Sequence, residues 1–184
     1  MTPFWWFYFS PLREFIPVIY SFPMENVVVY RETVKPSDLK DVRMVAHSSG
    51  FFNSRELEVA AGLVMERLEL GEESGYHFIF AERTGKAIGF TCFGPIEGTE
   101  QSFDLYWIAL MDAFRGMGIG KKLLALTEEK VKSLGGGRIY IETSAREQYE
   151  PTREFYAANG YKEAAVLRDF YGPGDSKVIY VKVL

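Results

Sequence analysis

The alternation of apolar and polar residues predicts short strands and amphipathic helices from about residue 26 onward. Asn26–Thr33, with the sequence NVVVYRET, is rich in β-branched residues and bounded by polar ones, which predicts a first strand. Apolar residues then recur at helical spacing over Lys35–Ser49 and again after Asn53, so we expect two helices, the second ending near Gly71. Asn53 is a candidate N-cap, because Glu56 follows three residues later as in a capping box.

The rest of the chain alternates strands with helices. YHFIFAER and AIGFTCFG flank the turn TGK as in a β-hairpin, and a fourth strand over about Phe103–Leu110 leads into a glycine-rich stretch. A helix over Lys121–Leu134, the strand RIYIET, a short helix in PTREFYAANGY and the closing strands KEAAVLR and KVIYVKVL follow. With 184 residues and 47% hydrophobic content, we expect one α/β domain over residues 24–184.

The first 23 residues, MTPFWWFYFSPLREFIPVIYSFP, are crowded with aromatic side chains. Prolines interrupt every apolar run and Arg13 and Glu14 lie in the middle, which argues against a secretory signal and against a spanning helix of about 20 residues. We expect an aromatic arm that packs on this domain or on a second copy. Two alternatives stay open, namely that Met24 opens the functional chain and that the segment anchors the protein to a membrane surface.

Composition narrows the function classes. The formal net charge of -4 and the lack of a long Lys/Arg run argue against a nucleic-acid surface, so a small-molecule partner is expected. The single cysteine, Cys92, cannot form an internal disulfide, and the two histidines, His47 and His77, are too far apart in sequence to suggest a metal cluster. We therefore expect a cytoplasmic protein without a metal.

The glycine-rich stretch AFRGMGIGKKLL, Ala113–Leu124, is a candidate anion-binding loop. It is not a P-loop, because Arg115 stands where that motif needs its first glycine and Lys122 where it needs Ser or Thr. The spacing G-x-G-x-G also fails the dinucleotide pattern G-x-G-x-x-G. Bare backbone N–H groups before a helix N-terminus would still suit a pyrophosphate. A tight strand-to-helix turn without a ligand is the alternative for the loop taken alone.

The surrounding sequence resembles the GNAT family of N-acetyltransferases. The resemblance rests on Arg115-x-x-Gly118-x-Gly120 after the strand LYWIAL, with PTREFYAANGY one strand later, and it covers residues 27–184. It implies a mixed, mostly antiparallel sheet of about seven strands flanked by helices and splayed between the fourth and fifth strands. It also implies an acetyl-coenzyme A (acetyl-CoA) dependent acyltransferase that moves an acetyl group to a primary amine of a small molecule or peptide.

The resemblance implies where the cofactor would lie. Backbone N–H groups of the glycine loop would cradle its pyrophosphate, and the strand before the loop would pair with its pantetheine arm, with an oxyanion donor near Leu110. The residues implied for cofactor binding are Ile108, Ala109, Leu110, Arg115, Gly116, Met117, Gly118, Ile119, Gly120, Lys121, Tyr149 and Thr152.

Three residues are candidates for the chemistry. Tyr156 matches the family's tyrosine beside the departing sulfur, although a core aromatic would have the same spacing. Full proton transfer from a tyrosine to a thiolate is uphill by about 2 kcal/mol, so Tyr156 would act as much by donating a hydrogen bond. Asp104, six residues before Leu110, is the candidate base, with Glu142 in reserve. A strand carboxylate in a surface ion pair is the alternative for either.

Two residues depart from the family pattern or suggest another route. Tyr149 stands where the family usually has an asparagine that bonds the cofactor arm. Its hydroxyl could replace that amide or its ring could pack against the adenine side, and Thr152 could contribute a hydroxyl instead. Cys92 could suggest transfer through an acetylated thiol, but IGFTCFG predicts a buried strand and a structural cysteine. Direct attack by the amine in a ternary complex is the simpler mechanism.

The sequence says less about the acceptor and the partners than about the cofactor site. Candidate acceptor residues come from the loop between the first two helices and from the late loop DFYGPGDSK, namely Phe51, Phe52, Phe170, Tyr171 and Asp175. The alternative for Phe51 and Phe52 is that they cap the core. Aromatic side chains with a few acids suit an amine with an apolar part. A catalytically silent CoA-binding regulatory or interaction module is the alternative to an enzyme. A homodimer is an expectation that follows from the resemblance alone.

Overall fold

The computed structural model describes residues 27–184, and the expected aromatic arm, residues 1–23, lies outside the described residues. Strands and helices follow one another as β1 (Val29–Arg31), α1 (Asp38–Ser48), α2 (Ser54–Leu70), β2 (His77–Arg83), β3 (Lys86–Pro95), β4 (Ser102–Leu110), α3 (Ile119–Ser133), β5 (Arg138–Ser144), α4 (Glu150–Ala158), β6 (Lys162–Gly172) and β7 (Asp175–Val183). None of the helices in this part of the chain is long and apolar enough to cross a membrane.

Local signals placed most of these elements correctly. Asn53 caps α2 in a capping box with Glu56, and α2 ends before Gly71, as predicted. Thr84 and Gly85 both have positive φ, which matches the tight turn predicted between β2 and β3. The prediction of a loop over DFYGPGDSK is wrong, because β6 and β7 extend toward each other and leave only Pro173 and Gly174 between them.

The strands form one seven-stranded sheet over the described residues, in the order β1-β2-β3-β4-β5-β7-β6. Every neighbouring pair is antiparallel except β4 and β5, which run parallel. This confirms the predicted mixed, mostly antiparallel sheet.

The parallel pair of β4 and β5 is short. Ser102–Leu105 pairs with Arg138–Ile141, and β4 then continues to Leu110 while paired only with β3 on its other side. The two strands part after Leu105, so the predicted splay is present. The backbone of residues 106–110 is left without a strand partner on the β5 side.

Apolar side chains fill both faces of the sheet. Helices α1 and α2 cover one face, where Phe80, Phe90 and Cys92 are fully buried. Helices α3 and α4 cover the other face, on which Leu123 and Ile141 lie in a second cluster. Burial raises the pKa of the Cys92 thiol well above its usual value, which fits the predicted structural cysteine better than a reactive one.

A buried ion pair joins α1 to the sheet edge. The carboxylate of Asp38 is inaccessible to solvent and accepts hydrogen bonds from both terminal nitrogens of Arg31 and from the Lys35 backbone N–H. Arg31 also donates from Nε to Glu82 at 2.6 Å and lies 4.1 Å above the Phe80 ring. The pair therefore fixes the start of α1 against β1 and β2.

Replacing Asp38 by Ala should destabilise the protein by about 3–5 kcal/mol, because it leaves the Arg31 guanidinium buried without its main counter-ion. Urea unfolding measures this change. Glu58→Ala is the control, since Glu58 forms an exposed ion pair with Arg43, and its unfolding midpoint should barely move. Equal effects of the two substitutions would contradict the structural role of Asp38.

Candidate active site

A cleft of about 830 Å³ opens where β4 and β5 part. It is lined by parts of the α1–α2 connection, β4, the glycine loop, β5, α4 and the β6–β7 hairpin. The candidate residues that it brings together are Phe51, Phe52, Ile108, Ala109, Leu110, Arg115, Gly116, Gly118, Ile119, Gly120, Lys121, Glu142, Tyr149, Thr152, Tyr156, Tyr171 and Asp175.

Three candidate residues do not line this cleft. Met117 is 64% exposed at the tip of the glycine loop. Phe170 is half exposed on β6, and its ring packs against Lys177. Asp104 is half-buried beside Glu142, whose side chain does line the cleft.

The glycine loop presents unpaired N–H groups to the cleft. Gly116 and Gly118 have positive φ, and Gly118 is the N-cap of α3. The first bond of the helix runs from the Lys122 N–H to the Gly118 carbonyl, and no described side chain caps this end. The N–H groups of the first turn therefore point outward at the positive end of the helix dipole, which fits a pyrophosphate.

The open edge of β4 leads to this loop. Leu110, Ala109 and Ile108 pair with Gly89, Phe90 and Thr91 of β3, so their other edge faces the cleft. A free strand edge can bind an extended chain through backbone hydrogen bonds, as a pantetheine arm with its amide groups would require. The residues present thus fit CoA along both the β4 edge and the loop.

Tyr156 points from α4 into the cleft wall. Its ring is 4% exposed and packs near Phe155, Tyr161 and Tyr180. Within residues 27–184 its hydroxyl has no hydrogen-bond partner, and burial raises its pKa above the usual tyrosine value. The hydroxyl therefore remains protonated at neutral pH and is free to donate to a ligand.

Asp104, Glu142 and Lys177 form a charged cluster beside the cleft. Lys177 Nζ lies 2.5 Å from Glu142 Oε2 and 3.7 Å from the centre of the Phe170 ring, and Lys177 is only 9% exposed. Burial raises the pKa of Asp104, Glu142 raises it further, and Lys177 opposes both effects. Asp104 is thus a better proton acceptor than an exposed aspartate.

The α1–α2 connection is fastened across the cleft. Tyr149 donates its hydroxyl hydrogen to the Phe51 carbonyl at 3.1 Å, and the two rings lie 5.3 Å apart. Arg115 donates to the Ser49 carbonyl, and its guanidinium lies 5.1 Å from the Phe51 ring centre. Phe51 therefore contacts residues on both sides of the opening. The Tyr149 hydroxyl bonds the α1–α2 connection, whereas the asparagine that the family usually has at this position bonds the cofactor arm.

The β6–β7 hairpin is fastened to the end of β5. Asp175 accepts a hydrogen bond from the Ser144 hydroxyl at 2.5 Å and lies 3.0 Å from Arg146 Nε. These contacts occupy the Asp175 carboxylate, so in this arrangement it positions the hairpin. Tyr171 remains on the wall, where burial and nearby carboxylates raise its pKa to about 12.

Sequence reasoning missed several residues of the site. Tyr106, Trp107 and Arg146 line the cleft, and Lys177 holds Glu142. The two-residue period of a strand could have indicated Tyr106, which follows Asp104 on the same face. No local signal could have indicated Lys177, because its contact depends on the pairing of β5 with β7.

The sequence model of the Acetyltransferase (GNAT) family matches residues 42–161, which is more than half of the chain. The chain belongs to the GNAT family. It is therefore an acyltransferase of the N-acetyltransferase class. The GNAT family uses acetyl-CoA.

Known proteins agree with this membership. A GNAT-family protein of Desulfovibrio desulfuricans is 42% identical, with a TM-score of 0.84 over 85% of this chain and 99% of that one. The uncharacterized N-acetyltransferase YjgM of Escherichia coli K12 is 26% identical over 66% of this chain and 74% of its own length. An aminoglycoside 6′-N-acetyltransferase solved with coenzyme A, 19% identical, shares the fold with a TM-score of 0.67 over 85% of this chain and 96% of that one.

Replacing Lys177 by Met should raise the pKa of Asp104, because the ammonium favours the charged carboxylate. Glu142→Gln should lower that pKa, because it removes a like charge. Carbon-13 NMR titration of aspartate carboxyl groups measures both shifts, and Asp104→Asn assigns the signal. Lys35→Met, which removes a lysine paired with Glu82, is the control and should leave the titration unchanged. One pKa for Asp104 in all variants would disprove the coupling.

Proposed function

We propose that the cleft binds acetyl-CoA and a primary amine together and transfers the acetyl group by direct attack. The observation that carries this proposal is that two backbone features and one side chain lie next to one another in the same cleft. The free edge of β4 runs into the uncapped N-terminus of α3, and Tyr156 lies on the wall of the same cleft. A thioester held along that edge would have its pyrophosphate at the helix and its reacting carbonyl near the tyrosine.

The cofactor half of the site would act mainly through backbone groups. The loop from Gly116 to Lys121 would hold the pyrophosphate, and Ile108–Leu110 would pair with the pantetheine arm. Bound acetyl-CoA would supply an activated acetyl group. Because these contacts are made by the backbone, they position the thioester independently of the acceptor.

Asp104 is the proposed base. An alkylamine is almost wholly protonated at neutral pH and must lose a proton before its nitrogen can attack. Glu142 is engaged by Lys177, whereas Asp104 has a raised pKa and no ion-pair partner within 4 Å in residues 27–184. Asp104 does not itself line the cleft, so a water molecule would carry the proton from the amine to its carboxylate.

Tyr156 is the proposed proton donor to the leaving group. As the amine nitrogen forms its bond to the acetyl carbon, the carbon–sulfur bond breaks and its electron pair moves to sulfur. The protonated hydroxyl of Tyr156 stabilises that thiolate by a hydrogen bond and can give it the proton. Since the tyrosine holds its proton tightly, the hydrogen bond is the larger part of its contribution.

The acceptor half of the cleft suits a cationic amine with an apolar part. Phe52 packs on Trp107 at 4.6 Å and Tyr106 packs on Tyr76 at 5.6 Å, which gives an aromatic wall. Glu56 and Glu142 supply acceptor oxygens on that side. The names of two structural neighbours, one for aminoglycosides and one for the alanine of ribosomal protein S18, support an acceptor that is either a small amine or a peptide amine.

We also infer that residues 24–184 form the catalytic domain and that the protein works in the cytoplasm. The free, buried Cys92 is consistent with a reducing compartment.

A panel of amino acids, polyamines, aminoglycosides and peptide N-termini, assayed for release of the CoA thiol, tests the proposal. With the best acceptor, Asp104→Asn should lower kcat by about 100-fold because it removes the base, and Tyr156→Phe by about 10-fold or more because it removes the hydrogen bond to the leaving sulfur. Glu129→Gln on the exposed side of α3 is the control. If acetyl-CoA raises the melting temperature but no amine releases thiol, the chain is a silent CoA-binding module. If acetyl-CoA does not bind, both functions are overturned.

Replacing Gly118 by Val should weaken CoA binding at least tenfold in isothermal titration, because the helix N-cap must leave its left-handed conformation. Gly98→Val is a matched control, since Gly98 has φ +76 against +77 for Gly118 and a Cβ added at either glycine would meet no atom within 4 Å. Both substitutions should lower stability by about 1–2 kcal/mol. Equal CoA affinity in the two variants would contradict the cradle.

A further inference from the structure

Arg146 carries the positive charge on the acceptor half of the cleft. Three cationic side chains line the cleft within the described residues, namely those of Arg115, Lys121 and Arg146. Arg115 and Lys121 belong to the glycine loop, on the side proposed for the cofactor. Arg146 follows β5, and its Nε lies 3.0 Å from Oδ2 of Asp175, the first residue of β7. Its guanidinium is therefore placed to meet the acceptor rather than the pyrophosphate.

The contacts of Arg146 engage only one of its three side-chain nitrogens. Nε lies beside Asp175 and also donates to the Ser144 hydroxyl at 3.4 Å. Neither terminal nitrogen has a hydrogen-bond or ion-pair partner within residues 27–184, and 52% of the side chain is exposed. The terminal N–H groups of a guanidinium form a planar fork that matches the two oxygens of a carboxylate. Arg146 thus presents an unused fork of this kind on the cleft wall.

The Arg146 side chain is positioned by the surrounding protein. Its backbone N–H donates to the Ser144 hydroxyl at 3.1 Å, and its carbonyl accepts a hydrogen bond from Arg153 at 2.9 Å. Its guanidinium lies 5.6 Å from the centre of the Tyr149 ring, and Asp175 is itself bonded to Ser144. Binding to a side chain that is already positioned costs less conformational entropy than ordering a free one.

Strand β5 connects the proposed base to Arg146. Asp104 pairs with Tyr140 in the parallel ladder, and Glu142, two residues further along β5, is on the same face as Tyr140. Arg146 comes four residues after Glu142, beyond the end of the strand. The acceptor half therefore has carboxylates at one end, where an amine would lose its proton, and a guanidinium at the other. An acceptor with both an amine and a carboxylate complements the two ends.

We propose that Arg146 binds a carboxylate of the acceptor, so that the acceptor is an amino acid with a free carboxylate. This rests on the proposed acetyl transfer and states which amines fit the cleft. The carboxylate would accept two parallel hydrogen bonds from the terminal nitrogens, while Nε stays with Asp175. A carboxamide of the same size has no charge and only one acceptor atom, so it would bind less tightly.

Isothermal titration in saturating CoA, which carries no acetyl group to transfer, tests the proposal by binding alone. The probes are L-phenylalanine, L-leucine and 4-aminobutyrate, each compared with its own carboxamide. At least one acid should bind tenfold or more tightly than its amide. Arg146→Met should raise the Kd of that acid at least tenfold, because it removes the fork. Arg138→Met is the control, since Arg138 is exposed at the start of β5 and does not line the cleft.

Three readouts separate a carboxylate site from other roles of Arg146. In Arg146→Met the Kd values of the amide and of CoA should stay within about threefold of the original values. An amide weakened as much as the acid would mean that Arg146 only holds the β6–β7 hairpin, and a tenfold loss of CoA affinity would mean that it binds the cofactor. Either result would overturn the proposal, as would equal binding of every acid and its amide, or no binding by any acid.

Thiol release from acetyl-CoA with the same acids distinguishes this proposal from acetyl transfer itself. The acid that binds should be acetylated, with a KM at least tenfold below that of its amide, and Arg146→Met should remove this difference. An acid that binds through Arg146 but releases no thiol would contradict acetyl transfer and leave the carboxylate site standing. Thiol release with acids and amides alike would support acetyl transfer and overturn the carboxylate site.

Discussion

The parting of β4 and β5 after four paired residues is the constraint on which the rest of the site depends. Backbone N–H and C=O groups need partners, and a strand edge that faces a cleft can be satisfied only by water or by a ligand. The parallel direction of the pair places the glycine loop and the end of β5 on the same side of the opening. One topological feature therefore produces the free strand edge, the position of the α3 N-terminus and the cleft between them.

The cofactor half and the acceptor half of the cleft are built by different means. The cofactor half is formed by backbone conformation. Gly116 and Gly118 have positive φ, and the first N–H groups of α3 that follow them have no intrahelical partner. The second is a set of side chains, held by contacts between distant elements such as Tyr149 with Phe51 and Asp175 with Ser144. The contacts of Phe51 join the two halves. Arg115 on the cofactor side and Tyr149 immediately before α4 both bond the α1–α2 connection.

This difference explains how far the sequence alone could lead. The capping box at Asn53, the turn at Gly85 and the glycine loop are local signals, so the element order and the loop could be predicted from short stretches. The placement of Asp104 beside Glu142 and the engagement of Glu142 by Lys177 depend on the register between β4, β5 and β7. Residues distant in sequence meet there, and no spacing along the chain records that meeting. The extension of β6 through DFY was missed because the glycines and the proline that follow it favour a loop.

The charged cluster shows why such contacts matter for the chemistry. Two carboxylates close together in a half-buried site would repel each other and would both resist ionisation. Lys177 relieves that repulsion by pairing with Glu142, and its ammonium group lies over the Phe170 ring. The result is one engaged carboxylate and one that can still accept a proton.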